Sequence, residues 1–285
     1  MLQEIMPHVY HSEFARKKPA DEDIMILQKG RNVLLSGTKA PGSENTWALP
    51  TIAQIKVICP EAAESAYYLF SIDGQGYYPS ATDVREREPF SWQSVMVLRE
   101  AGQDYHAFGG AVGWQLANWY DLHRFCGRCG RETVHSEHER AILCPACGNV
   151  WYPRISPVVI IAITDGDRIL LTRYNRSGYR RHALVAGFVE IGETLEDAVQ
   201  REVMEEVGLR VKNIRYIESQ PWPFSSSLIA GFQADVDGDP TVHLNTDGGE
   251  ELAGAVWVER EALIIEDSNV SLTWDMIRRF KAGSL

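Results

Sequence analysis

Long apolar runs are missing from this 285-residue sequence. The longest, Pro157-Val-Val-Ile-Ile-Ala-Ile163, falls well short of the ~18 residues that a bilayer-spanning helix needs, and its flanks read as those of a buried strand. No membrane partner is expected. The first residues, Met1-Leu-Gln-Glu-Ile-Met-Pro7, offer neither a basic n-region nor an apolar h-region, so a secretory signal is not expected. Basic charge is scarce: 28 Lys and Arg stand against 39 Asp and Glu, a net charge of −11. That excludes a broad electrostatic footprint for non-specific nucleic-acid binding, while leaving room for a local phosphate site. Cysteine is scarce as well. There are five, an odd number, and four of them cluster in two CxxC pairs, leaving Cys59 over. Without a signal peptide this argues for metal ligation in the cytoplasm rather than a disulfide framework. Internal repeats and long low-complexity linkers are absent too.

What is present divides into three parts. Residues 1–122 hold alternating apolar segments split by turns and read as a β-rich domain. Ile24–Leu27, the turn Lys29–Asn32 and Val33–Leu35 predict one hairpin; Ala66–Phe70, the turn Asp73–Gly76 and Tyr77–Tyr78 predict another. A helical pattern covers about 110–123, with Val112, Leu116, Trp119 and Tyr120 on one face. No catalytic motif stands in this part. Residues 123–152 hold the clustered cysteines. Residues 153–285 alternate strands and helices, and Asp235–Gly249, rich in Asp and Gly, predicts a hairpin turn followed by a loop.

Cys126-Gly-Arg-Cys129 and Cys144-Pro-Ala-Cys147 are separated by Gly130–Leu143. Each pair sets two thiolates on one ion from a tight turn, and the glycine after each pair permits left-handed backbone there. Four sulfurs close a tetrahedron, so the predicted site is one structural Zn²⁺. A redox dithiol is the alternative, but the thioredoxin-like setting is missing. A zinc ribbon also suits nucleic acid; the mixed charge of the intervening loop weakens that reading.

The most informative stretch runs from Gly187 to Leu209. Thr194 followed by Asp197 resembles a capping box, with Asp shorter than the preferred Glu or Gln, Gly208 suits a helix stop, and about 13 helical residues lie between. At 100° per residue, Glu202, Glu205 and Glu206 fall within an arc of ~100°. Three like charges on one stripe beside Leu195 and Ala198 oppose helix stability. Either the face is a solvated acidic one or a divalent cation resolves the conflict. Hard oxygen ligands suit Mg²⁺ or Mn²⁺ and phosphate chemistry.

The same stretch resembles the Nudix box, G-x5-E-x7-R-E-U-x-E-E-x-G-U with U apolar. It agrees at Gly187, Glu193, Arg201, Glu202, Val203, Glu205, Glu206, Gly208 and Leu209. The resemblance implies a Nudix α/β/α fold with a mixed sheet, of α+β class, after a zinc ribbon and a β-rich N-terminal domain. It also implies hydrolysis of a nucleoside diphosphate linked to another group, with Mg²⁺ or Mn²⁺. Glu202 and Glu206 become metal ligands, Glu205 shares metal or base duty, and Arg201 with Glu193 forms a buried pair that fixes the loop.

Downstream, Ser219-Gln-Pro-Trp-Pro-Phe-Ser-Ser-Ser227 is similar to the S-Q-P-W-P-F-P-x-S array of the NADH pyrophosphatases in that family, with Ser225 in place of a proline. Pro221 and Pro223 would hold the chain extended and present Trp222 and Phe224 as flat faces for a base or nicotinamide. Gln220 and the serines Ser225, Ser226 and Ser227 would donate to hydroxyls or phosphate. The approach Trp119–Cys126 and the ribbon also resemble this branch. Singly carried over are Glu251 as a distal metal ligand, with Glu250 a competitor, and the Ala186 carbonyl as another. Glu139, Tyr152, Phe188 and Thr273 fall at substrate-contact positions, Thr273 where the family usually has Ala. The implied activity splits NADH or NAD⁺ into NMN(H) and AMP and removes NAD caps from RNA, in a homodimer. Two rivals remain open: a Nudix hydrolase preferring ADP-ribose or another dinucleotide, and a non-catalytic nucleotide sensor or nucleic-acid-binding ribbon protein.

Overall fold

The structure, a computed structural model, describes residues 1–37, 46–175, 182–245, 252–265 and 270–285. They form two compact units. One comprises Ile155–Trp222, Ser226–Leu285 and Met1; the other comprises Leu2–Arg154 with Pro223–Ser225, so that the ribbon clusters with the residues before it.

In the second unit the chain forms β1 (Tyr10–His11), β2 (Ile24–Ile26), β3 (Gln28–Lys29), β4 (Asn32–Ser36), α1 (Ile52–Ile58), α2 (Pro60–Glu64), β5 (Phe70–Ile72) and β6 (Gln75–Pro79). It continues through β7 (Phe90–Ser94), α3 (Met96–Glu100), α4 (Tyr105–Leu122), β8 (Val134–His135), β9 (Ile142–Leu143) and β10 (Val150–Trp151). The first expected hairpin is present in altered form. Lys29 and Asn32 close it between β3 and β4, but Ile24–Ile26 leaves to run parallel to β6 in another sheet. The chain changes sheets at Leu27, and apolar alternation looks the same on either side of such a switch. The second hairpin is β5–β6, turned at Asp73-Gly74 with Ile72 opposite Gln75, and its strand starts at Phe70 rather than Ala66. Helix α4 begins earlier than its apolar face implied. Asp104 caps it, accepting from the His106 and Ala107 N–H groups at 2.7 and 3.3 Å.

In the first unit the elements are β11 (Ser156–Asp165), β12 (Arg168–Tyr174), β13 (Val185–Phe188), α5 (Leu195–Val207), β14 (Val211–Trp222), β15 (Ser227–Val236), β16 (Leu252–Glu259) and α6 (Leu272–Lys281). The sheet order is β14-β15-β11-β12-β16, with β13 also on β11; β11 and β15 run parallel and the other pairs antiparallel, a mixed sheet. The apolar run in β11 is explained by its two covered faces. Val159, Ile161 and Ile163 pack with Ala198, Val199, Val203 and Val207 of α5, whereas Ile160 and Ala162 pack with Leu272, Met276, Ile277 and Phe280 of α6. Among the described residues, the hairpin expected at Asp235–Gly249 does not form. Both edges of β15 are taken by β14 and β11, and the next described strand, β16, pairs with β12 instead. Residues 246–249 of that segment lie outside the described residues.

Candidate active site

Helix α5 has the ends its sequence predicts. Thr194 and Asp197 complete a reciprocal capping box, and Gly208 closes the helix at φ +67°. Its carboxylates are inward-facing: Glu202 is 9% and Glu206 5% exposed. Burying two carboxylates one turn apart is costly unless something positive meets them. Arg201 meets that need at Glu202. Its Nε and Nη2 hold the two Glu193 oxygens at 2.6 and 2.8 Å, a bidentate pair. Nη1 reaches Glu202 Oε1 at 2.7 Å and Glu205 Oε2 at 3.0 Å, and Nη2 also donates to the Phe188 carbonyl at 2.8 Å. The guanidinium therefore ties the loop after β13 to the helix. Its hydrogen bonds draw the Glu193 carboxyl down to about 2, and Glu193 in turn raises the pKa of Arg201. Glu193 further accepts from the Glu190 N–H at 2.9 Å, which closes the turn containing Gly192.

Gly187 lies opposite Val159 in the sheet, and a Cβ added there would sit 1.9 Å from the Glu202 carboxylate carbon. Glycine at this position is what lets Glu202 lie against the strand. Ala186, the proposed carbonyl donor, is the neighbouring residue, half-buried. The carboxylates thus offer hard oxygen donors, two of them desolvated, the donor chemistry that a small divalent cation takes. Glu251 and Glu250 lie outside the described residues. Their flanks are held, however, by a residue that sequence reasoning missed. The Asn245 side chain accepts from the Leu252 N–H and donates to the Leu252 carbonyl, both at 3.1 Å, while its own N–H reaches the Glu206 carbonyl at 2.9 Å. Its left-handed backbone, φ +52°, is one that Asn tolerates, and that is the sequence signal available for it.

The segment 219–227 departs from the extended loop expected. Trp222 pairs with Ser227, and Pro223–Ser225 make a single 3-10 turn, a conformation for which proline at the first position presets φ. Phe224 is buried, at 5% exposure, so its ring is not presented as an open face; Trp222 stays half-buried. Pro221 is half-buried and Pro223 buried, while Ser225 is exposed, Ser226 half-buried and Ser227 buried. Gln220 is fully buried, its amide spent on the Val270 carbonyl and the Leu272 N–H. Phe188 is 54% exposed, and Thr273 is half-buried in the first turn of α6.

In the other unit, the two cysteine pairs form matching turns. Gly130 N–H donates to the Cys126 carbonyl at 2.8 Å and Gly148 N–H to the Cys144 carbonyl at 2.9 Å, with both glycines left-handed at φ +73° and +72°. The four sulfurs lie within 4.8 Å of one another, with Cys126–Cys147 at 3.6 Å and Cys129–Cys144 at 3.5 Å. Tetrahedral zinc with ~2.3 Å bonds requires sulfurs about 3.8 Å apart, so the set fits. Burial pushes the Cys126 thiol up, but N–H groups of Cys129 and Arg128 aimed at its sulfur from 3.4 Å help bring it down to about 6, favouring the thiolate. Nearby, the Tyr152 hydroxyl donates to Glu139 Oε1 at 3.0 Å, so two residues read separately from the sequence are partners. That bond raises the Tyr152 pKa.

A NUDIX domain model matches residues 154–280, and an NADH pyrophosphatase zinc ribbon model matches residues 121–152. Over 180 residues, 63% of this chain and 67% of the relative, the sequence is 43% identical to the NAD-capped RNA hydrolase NudC of Yersinia pestis strain Pestoides F. The chain belongs to the Nudix family. The chain is also similar to the NAD-capped RNA hydrolase NudC of Pectobacterium atrosepticum, 48% identical over 53% of this chain and 56% of that one. The corresponding protein from Shigella dysenteriae serotype 1 is 53% identical over 44% of this chain and 49% of its own length. The chain thus spans about half the length of these last two relatives. Among the described residues, no helix is long and apolar enough to cross a membrane.

Proposed function

We propose that this Nudix chain hydrolyses the pyrophosphate bond of NADH or NAD⁺, giving NMN(H) and AMP, and cuts the same linkage where NAD caps an RNA 5′ end. The observation that carries the reading is the buried carboxylates Glu202 and Glu206, the first of them held by Arg201 and seated against Gly187, in a unit that also carries the Trp222–Ser227 strand pair. The relatives that bear the name NAD-capped RNA hydrolase support the choice of substrate.

Glu202 and Glu206 would hold Mg²⁺ or Mn²⁺, with Glu205, the Ala186 carbonyl and Glu251 as further donors. When bound, such a cation supplies charge neutralisation at the phosphate oxygens and eases deprotonation of water. Arg201 is committed to Glu193, Glu202, Glu205 and Phe188, so its work is to hold the carboxylates and not to bind phosphate. Glu205, whose side chain is 38% exposed, is the carboxylate of the three with most access to solvent for exchanging protons. Trp222 and the exposed ring of Phe188 would take the flat groups of the dinucleotide, with Ser226 and Thr273 contributing polar contacts. The four thiolates would hold one structural Zn²⁺, which suits a compartment that keeps thiols reduced, the cytoplasm. A homodimer is part of the same proposal and is checked by light scattering after size-exclusion chromatography.

The deciding experiment is a hydrolysis panel with Mg²⁺ and with Mn²⁺ on NADH, NAD⁺, ADP-ribose, diadenosine polyphosphates and NAD-capped RNA. AMP with NMN(H) from the NAD substrates, at higher kcat/KM than from ADP-ribose, is expected. A preference for ADP-ribose would move the assignment within the family, and release of no AMP from any dinucleotide would leave a sensor.

A further inference from the structure

Gln220 is expected by resemblance to meet the ligand, as an amide donating to a hydroxyl or phosphate. Its surroundings give it a different task. Gln220 is 0% exposed and sits in β14 opposite Ile229. Its Nε2 donates to the Val270 carbonyl at 2.8 Å, and its Oε1 accepts the Leu272 N–H at 2.7 Å. Leu272 is the first residue of α6. A helix begins with N–H groups that lack intrahelical partners, and the residue at the cap position usually meets one of them. Here that residue, Ser271, makes no such side-chain bond. A glutamine 52 positions earlier does so instead, and the other end of the same amide secures the carbonyl just before the cap. Val270 and Leu272 are themselves buried, at 8% and 1% exposure, so water has little access to replace either bond.

Trp222 stands two residues beyond Gln220 on β14, and Thr273 stands one residue beyond Leu272 on α6. We propose that Gln220 is a positioning residue for the dinucleotide: it touches no substrate, but its two-ended amide clamps the start of α6 to β14 and thereby fixes Thr273 relative to Trp222. This rests on the dinucleotide reading of Trp222 and Thr273 given above. The clamp needs one donor and one acceptor at the end of a chain of this length. Glutamate keeps only the acceptor and methionine supplies neither.

The test uses the full chain with Gln220→Met and Gln220→Glu. Two quantities are read: amide hydrogen exchange at Leu272 without substrate, and KM and kcat for NADH. Gln220→Met should speed exchange at Leu272 and raise KM by about fivefold, the worth of one ordinary hydrogen bond. Its kcat should stay within about twofold, because no carboxylate of α5 is altered. Gln220→Glu, which retains an acceptor for the Leu272 N–H, should recover that protection and part of KM. Adding Thr273→Ala to Gln220→Met should raise KM no further than Thr273→Ala alone. A raised KM with unchanged Leu272 exchange would make Gln220 a ligand contact and overturn the proposal. Faster exchange and a lower Tm with unchanged KM would make it a stability clamp only, and would overturn it too. If Gln220→Met does not fold, Gln220→Glu carries the same readouts: exchange at Leu272 near wild type with KM raised less than twofold is expected, and a KM rise of fivefold or more at wild-type exchange overturns the clamp. Failure of the dinucleotide reading itself shows differently, as a wild-type protein inactive on NADH whose Leu272 exchange still responds to Gln220→Met.

Discussion

At the scale of single residues, the site depends on one missing side chain and one crowded one. Gly187 leaves the space that the Glu202 carboxylate fills, and Arg201 Nη1 holds that carboxylate at 2.7 Å. Gly187→Ala would force the carboxylate to swing, since its end atoms would lie 1.9–2.2 Å from the new methyl. The methyl displaces the end of one side chain and no backbone, so Tm should change little. Turnover should fall by about a hundredfold, the scale of a 1 Å misplacement in a reacting constellation. Wild-type kcat in Gly187→Ala would show that the pose of Glu202 is not critical. Arg201 sets a pH dependence as well. Glu193, ordinarily near 4.5, is held at about 2 by the guanidinium. A carboxylate with a depressed folded pKa contributes stability that is complete above its ordinary value and lost as pH falls through the depressed one. The Tm difference between the wild type and Glu193→Gln should therefore be full above 4.5 and close as pH falls toward 2. Thermal melts of both proteins across that range check it, and a gap that widens in acid would contradict the pairing.

At the scale of elements, what could be read from the sequence was what local chemistry dictates. Thr194, Asp197 and Gly208 fix the ends of α5 through bonds within a few residues, so its 13 residues and its carboxylate stripe were legible. The apolar run of β11 was legible because burial on two faces leaves no alternation to misread. Pairings made far along the chain were not. Leu27 marks a change of sheet, β15 has both edges filled, and Phe224 is buried; each depends on partners that no local pattern names. The burial of Phe224 narrows the aromatic reader of the hairpin to Trp222. If Trp222 stacks on nicotinamide, Trp222→Ala should weaken NADH by roughly 1–3 kcal/mol, mainly in KM. ADP-ribose, which lacks that ring, should be nearly unaffected. Parallel kinetics on the two substrates decide it: an equal penalty on both would assign Trp222 to adenine or to loop support, and no penalty on either would make it packing.

At the scale of the whole molecule, the Nudix unit and the ribbon have separate means of support. The Nudix unit builds an apolar cluster on each face of its sheet, and every member of both clusters belongs to that unit. The ribbon has strands of only two residues, so an ion held by its four thiolates should supply most of its order. Chelating the metal, or Cys144→Ser, should therefore loosen residues around the ribbon while α5 keeps its protection. Cys144 is buried, and its N–H donates to the Asn149 carbonyl at 2.9 Å, a backbone bond that serine keeps, so the loss is of a ligand. Hydrogen exchange should rise across Cys126–Trp151 and stay low at Val199–Val207, with about one zinc per chain lost from the protein. Freshly purified protein that holds no zinc and exposes four titratable thiols would remove the structural ion from this account. Equal deprotection of α5 would show instead that the ribbon and the Nudix unit share one cooperative transition.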